Sequence, residues 1–188
     1  MKLKPLYVVL GIAAVVVLWI WTGYNGLVGG KERVDAKWAQ VETQYQRRFD
    51  LVPNLVSTVK GAAKFEQETF TAITNARSQW QSAGAAKDRT GQIAAAQGFD
   101  SALSRLLVTV EAYPQLQATQ AYRDLMAQLE GTENRISVAR KDFNDEVQNF
   151  NIRVKRFPGI LLAKIFGYAP QAFFKSDDGA AKAPGVNF

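Results

Sequence analysis

Four ionisable residues stand where helical repeats in this chain call for an apolar side chain: Arg48, Glu66, Glu133 and Arg140. A lone charge moved out of water is costly, so such residues are normally paired or reach the edge of the seam. Two acids and two bases fit ion pairs that fix the register of packed helices. Long side chains snorkelling from a wide seam are the alternative. Catalysis by these groups is the weaker reading. The chain has no histidine and no cysteine. The commonest general base and metal ligand, and all thiolate chemistry, are therefore missing.

Other polar groupings carry less. Asp142 and Glu146 lie four residues apart on one helical face, with Asp145 beside them. Oxygen ligands of this kind suit calcium or magnesium, but no glycine-bearing calcium loop surrounds them, and a solvated acidic face is the simpler reading. Arg47 and Arg48 with Lys60 and Lys64 are a basic group within reach of lipid phosphate, though solvation is the default. There is no phosphate-binding glycine loop, nucleophile elbow or zinc spacing. Net charge is +6, which fits a protein near anionic lipid and gives nucleic acid little support. The aromatic residues fall on helix seams and read as core, not as base-stacking platforms. We expect no cofactor, no metal and no catalytic residue.

The elements that must position these charges are helical. From Val34 onward, two apolar columns repeat every seven residues. One runs Val34, Val41, Arg48, Leu55, Ala62, Thr69, Ala76; the other runs Trp38, Tyr45, Val52, Val59, Glu66, Ile73, Trp80. The phase holds past Pro53, which favours one long helix kinked where proline removes a donor and clashes one turn back. The alternative is a tight turn, with Asp50 as N-cap and Pro53 in the first turn of a new helix. A shorter helix is predicted over about 92–111, with Ile93, Ala96, Leu103, Leu107 and Val110 on one face. A final seam carries Tyr122, Met126, Leu129, Glu133, Ile136, Arg140, Phe143, Val147, Phe150, Val154 and Phe157 at spacings of three and four. Gly131-Thr132 offers a C-cap followed by an N-cap inside it.

Ahead of the helical body, Pro5 to Gly30 carries no charge. A bilayer core of roughly 30 Å needs about 20 helical residues, and a helix apolar on every face has no ready place in so small a domain. Residues 6–28 therefore read as a transmembrane helix after a short basic N-terminus, residues 1–5, with Trp19, Trp21 and Tyr24 at the far interface. A cleaved signal peptide is the rival reading, although the apolar run is long for one and Val28-Gly29-Gly30 is a mediocre cleavage site. Basic residues flank both ends of the span almost equally. A basic N-terminus before the first apolar span favours an amino end in the cytoplasm and a body on the non-cytoplasmic side.

Lengths then set the packing. A helix from 34 to 80 is far longer than the middle helix, so a hairpin at Gly131 would fold the last seam back and give an up-down four-helix bundle at the far end of the first helix. The membrane-proximal third would stand as a stalk. Val34, Trp38, Val41 and Tyr45 would then lack a partner within the chain and pack against other subunits or another protein. After Pro158-Gly159, the apolar stretch Ile160 to Phe174 is too short to span a bilayer; it packs on the bundle or lies at an interface. Residues 175–188 are expected to be a loose tail.

These stretches resemble the LemA family of bacterial membrane proteins. The resemblance lies in "RRFDLVPNLVSTVK" (Arg47–Lys60), "TNARSQW" (Thr74–Trp80), "EAYPQLQATQAYRDLMAQLEGTENRISVARKDFNDEVQNFNIRVKRFP" (Glu111–Pro158) and the aromatic tail ending at Phe174, in the family's order. It covers about residues 24–174. Phe49 and Phe143 stand where the family commonly has a polar residue or histidine and a tyrosine. The resemblance implies an all-α fold, with one membrane helix followed by a helical bundle over 29–174, and supplies no catalytic set. Two functions follow. One is a non-enzymatic, self-associating scaffold of the bacterial inner membrane, with the bilayer, further copies and other envelope proteins as partners. The other is a sensor or enzyme holding a small ligand or metal through carboxylates such as Glu66, Glu111 or Glu133.

Overall fold

A computed structural model describes residues 5–60 and 67–174; Glu66 and the tail from 175 lie outside the described residues. Among the described residues there are six helices and no strand: α1 (Pro5–Lys60), α2 (Gln67–Ala85), α3 (Arg89–Glu111), α4 (Pro114–Gln117), α5 (Gln120–Lys155) and α6 (Gly159–Phe166). The chain divides into two compact units. One comprises residues 41–140 with Phe174, the other residues 5–40 with 141–173.

In the first unit four helical stretches run up, down, up and down. α1 runs helical through Pro53, so that residue does not open a tight turn. Proline at this point removes one backbone donor without ending the helix, because the buried side chains on both sides keep the helix packed: Phe49, Val52, Leu55, Val56 and Val59. α2 returns alongside α1 in the opposite direction. Trp80 stacks against Tyr45 at 4.8 Å and Phe49 at 5.7 Å between ring centroids, and Arg77 lies 3.8 Å from Asp50. This corrects the expectation of one helix from 34 to 80. α1 is described to Lys60 and α2 from Gln67, and the two run antiparallel. Those two residues are one heptad apart, so the apolar columns keep their phase from α1 to α2 although the two helices run in opposite directions.

α3 then runs parallel to α1. Gln92 donates to Glu42 at 2.9 Å, and the Phe49 and Phe99 rings meet edge to face at 4.6 Å. The turn between α2 and α3 is closed by Asp88, whose carboxylate accepts from the Gly91 amide at 3.0 Å as the N-cap of α3. Lys87 takes a positive φ of 55° in that turn. Four of the five residues expected on the α3 face, Ile93, Ala96, Leu103 and Val110, are buried, with Phe99 and Leu106 beside them, whereas Leu107 is half-buried.

α5 is the second correction. It passes unbroken through Gly131-Thr132, and the Thr132 hydroxyl turns back to the Leu129 carbonyl at 2.7 Å instead of capping a new helix. The hairpin predicted there does not form. Up-down packing is met instead by α1, α2, α3 and the first part of α5.

In the second unit α1 and α5 are antiparallel partners. Trp38 lies against Phe143 at 5.1 Å, Lys37 meets Asp142 at 2.8 Å, and Arg33 meets Glu146 at 3.3 Å. Glycines let the helices approach closely. A Cβ at Gly30 would sit 3.1 Å from the Phe150 ring, and one at Gly23 would overlap Leu162 of α6. Phe166 of α6 stacks on Tyr24 at 4.7 Å. The stripe predicted to be bare is therefore covered by its own chain. Val34, Val41 and Tyr45 are fully buried and Trp38 nearly so. An unbroken α5 supplies the cover that a hairpin at Gly131 would have removed.

The apolar start of α1 is one helix long and apolar enough to cross a membrane, and its apolar window is wholly exposed. It fits a membrane anchor.

Candidate functional site

The most ordered polar arrangement lies inside the first unit, among helices that each contribute a charge because of where their seams fall. Arg48 occupies a buried position of α1, between Tyr45 and Phe49 on one side and Val52 on the other. Its guanidinium reaches Asp100 of α3 at 3.0 Å and Glu133 of α5 at 2.5 Å. Arg140, two turns further along α5, forms an ion pair with the other Asp100 oxygen and also donates to the Tyr45 hydroxyl. That hydroxyl in turn donates to Asp100 Oδ2 at 2.9 Å. Phe174 closes the arrangement: its ring lies 4.3 Å from the Arg140 guanidinium carbon and parallel to the Tyr45 ring.

Charge balances within this cluster, two guanidiniums against two carboxylates. Each carboxylate is engaged by arginine, which removes it as a free general base or ligand. Three separate helices are tied at one level, so their mutual register is fixed; Arg48 and Asp100 are largely shielded from water, while the Glu133 carboxylate stays about half exposed. The arrangement can hold helices in place. It offers no nucleophile beside a base and no pair of carboxylates facing an open cavity.

Of the four charged seam residues singled out in the sequence, the structure brings three together. Arg48 and Glu133 do pair, and Arg140 joins the same cluster. Glu133 and Arg140 flank the buried line of α5, which runs through Leu129, Thr132, Ile136 and Ala139; they pair and reach the edge at once. Glu66 is outside the described residues. Pro53 sits within α1, away from the cluster. Val34, Trp38 and Val41 are packing residues, whereas Tyr45 is both core and hydrogen-bond partner. Asp100 and Phe174 were missed. Asp100 had a signal: it falls between Ala96 and Leu103 at the spacing of the predicted α3 face. Phe174 had none in the helical pattern, because it lies beyond the last helix.

The acidic group on α5 is likewise engaged. Asp142 pairs with Lys37, Asp145 with Lys141 at 3.2 Å and Glu146 with Arg33. The hydrogen bond and charge of Lys37 hold the Asp142 carboxyl below its ordinary range. Burial, with Glu111 nearby, pushes the Tyr122 phenol up. Among the described residues no three acidic side chains converge as metal ligands would.

The LemA family model matches residues 37–188. The chain belongs to the LemA family. Magnetosome protein MamQ 2 of Paramagnetospirillum magneticum is 28% identical over 179 residues, covering 81% of this chain and 64% of that protein. Magnetosome protein MamQ of Magnetospirillum gryphiswaldense is 28% identical over 178 residues, covering 80% and 64%. Protein LemA of Metamycoplasma hominis is 23% identical over 133 residues, covering 71% and 60%. The chain thus spans less than two thirds of the length of these curated relatives. The family match overlaps the all-α body of this LemA-family chain.

Proposed function

We propose that this LemA-family chain is a membrane-anchored helical adaptor of the bacterial cell envelope that acts by holding partners at the bilayer and performs no catalysis. The observation that carries this reading is the mutual engagement of its seam charges. Arg48, Asp100, Glu133 and Arg140 serve one another. An apolar helix fit to cross a membrane continues directly into the same body, so whatever the body binds is kept near lipid. The anchor is single-pass in the inner membrane, with the amino end in the cytoplasm and the body on the other side. Partners are other envelope proteins and further copies of the chain. Self-association proceeds from outward surfaces, since the stripe first expected to drive it is covered.

Photo-crosslinking in cells tests this. Val108 of α3 and Val138 of α5 are 65% and 62% exposed and accept a photoreactive side chain without disturbing the core. Crosslinks to membrane proteins or to a second copy are expected at one or both. A chain that captures nothing at either position, and has the mass of one copy in mild detergent, would overturn the adaptor reading.

A further inference from the structure

We propose that α6 and the turn leading into it form a second membrane-contact element, lying in the anionic lipid interface beside the point where α1 leaves the bilayer. The inference rests on reading α1 as the anchor.

Depth is the first argument. Counting about 20 residues for the hydrocarbon core from Leu6 brings its far boundary to about residue 25. α6 packs on α1 at that level: Leu162 fills the space over Gly23 and Phe166 stacks on Tyr24. The helix is docked at the hydrocarbon edge, not on the water-facing part of α1.

Polarity is the second. α6 buries Leu162 and Ala163 but leaves Leu161 46% and Ile165 71% exposed, and Phe157 in the turn before it is 75% exposed. An eight-residue helix with apolar residues on both its buried and its outer side suits a lipid interface and is costly in water. The outer side of α6 and the anchor itself are both apolar and exposed.

Charge is the third. Between Glu146 and Asp177 the sequence carries Arg153, Lys155, Arg156, Lys164 and Lys175 and no acidic residue. Arg153 donates to the Gly26 carbonyl at 3.2 Å, which places its guanidinium at the same depth. A groove of about 450 Å³ opens there, lined by Gly23, Gly26, Arg153, Arg156 and Phe157. Cations above an apolar face are the arrangement that anionic headgroups attract.

Absence of cysteine makes the test clean, because one introduced thiol is the only one labelled. Leu161→Cys and Ile165→Cys in the full chain carry an environment-sensitive fluorophore. The protein is reconstituted at one copy per nanodisc, in phosphatidylethanolamine with phosphatidylglycerol or in phosphatidylcholine alone. Lys141→Cys, in α5, serves as the aqueous reference, and Leu10→Cys reports the anchor separately. The expected result is quenching by lipid-borne quencher and protection from iodide at 161 and 165, stronger with phosphatidylglycerol. The triple variant Lys155→Gln, Arg156→Gln, Lys164→Gln should lose the phosphatidylglycerol dependence. Iodide access at 161 and 165 equal to that at 141, with the label at 10 still in lipid, overturns the proposal. So does protection from both quenchers, which marks a protein cover. If the label at 10 is itself in water, the anchor reading fails and the proposal with it.

Discussion

Arg48 of α1 and Asp100 of α3 sit 3.0 Å apart inside the helical body, and both are largely shielded from water. Asp100 is the member on which both arginines converge. Asp100→Ala leaves the two guanidiniums with fewer acceptors, and removing one partner of a buried pair costs about 3–5 kcal/mol. We expect a large drop in the thermal unfolding midpoint of the detergent-solubilised protein. The combined Arg48→Met, Asp100→Leu variant should recover part of it. A midpoint for Asp100→Ala equal to the parent's would mean the cluster holds nothing.

Tyr45 gives a smaller test of the same cluster. Tyr45→Phe keeps the ring against Trp80 and deletes only the hydroxyl that Arg140 and Asp100 share. One hydrogen bond to a charged group is worth about 1.5–3 kcal/mol. Chemical denaturation should show a loss in that range, well below that of Asp100→Ala. A larger loss would assign the hydroxyl a role beyond this pair of contacts.

Gly131 lies inside α5 with open space around the position of a Cβ. Gly131→Ala should therefore stabilise the chain by about 0.5–1 kcal/mol, since alanine loses less backbone freedom in a helix. A destabilised variant would point to a break in the helix at this residue.

Asp142 and Lys37 make a pH-dependent contact. The folded carboxyl lies below its ordinary value of 3.8 because Lys37 donates to it and attracts its charge. The folded state therefore holds this proton less tightly than the unfolded chain does. The stabilisation is present above about 3.8 and disappears as pH falls through the lower, folded value. Lys37→Met should move the Asp142 titration upward in carboxyl-detected NMR. Between pH 5 and 8 the variant's stability offset from the parent should stay constant.

Much of this architecture was legible in the residues. The membrane-competent helix and the middle helix near 92–111 follow from an uncharged run and from spacings of three and four. What failed was continuity. Heptad phase is the same for one helix and for two antiparallel helices offset by a whole heptad, so α1 and α2 read as one. Gly131 failed in the opposite sense: glycine followed by threonine has the chemistry of a helix end, but packing of Leu129, Thr132 and Ile136 outweighs a propensity cost of about 1 kcal/mol. Asp100 was hidden because one acid in an apolar face gains meaning only from arginines on other helices. Phe174 reaches the cluster through a tertiary contact that no local pattern encodes.

The partners of α1 near the membrane come late in the chain. Arg33 waits for Glu146 and Gly26 for Arg153, separations of 113 and 127 residues. Residues 41–140 nest between them and can condense while the ribosome is still making α5. The juxtamembrane stretch of α1, from Leu27 to Trp38, consequently emerges with its apolar edge uncovered. It stays so until residues 141–173 have been synthesised. That interval is when this edge is open to chaperones, to misdocking on a neighbouring nascent copy, or to aggregation.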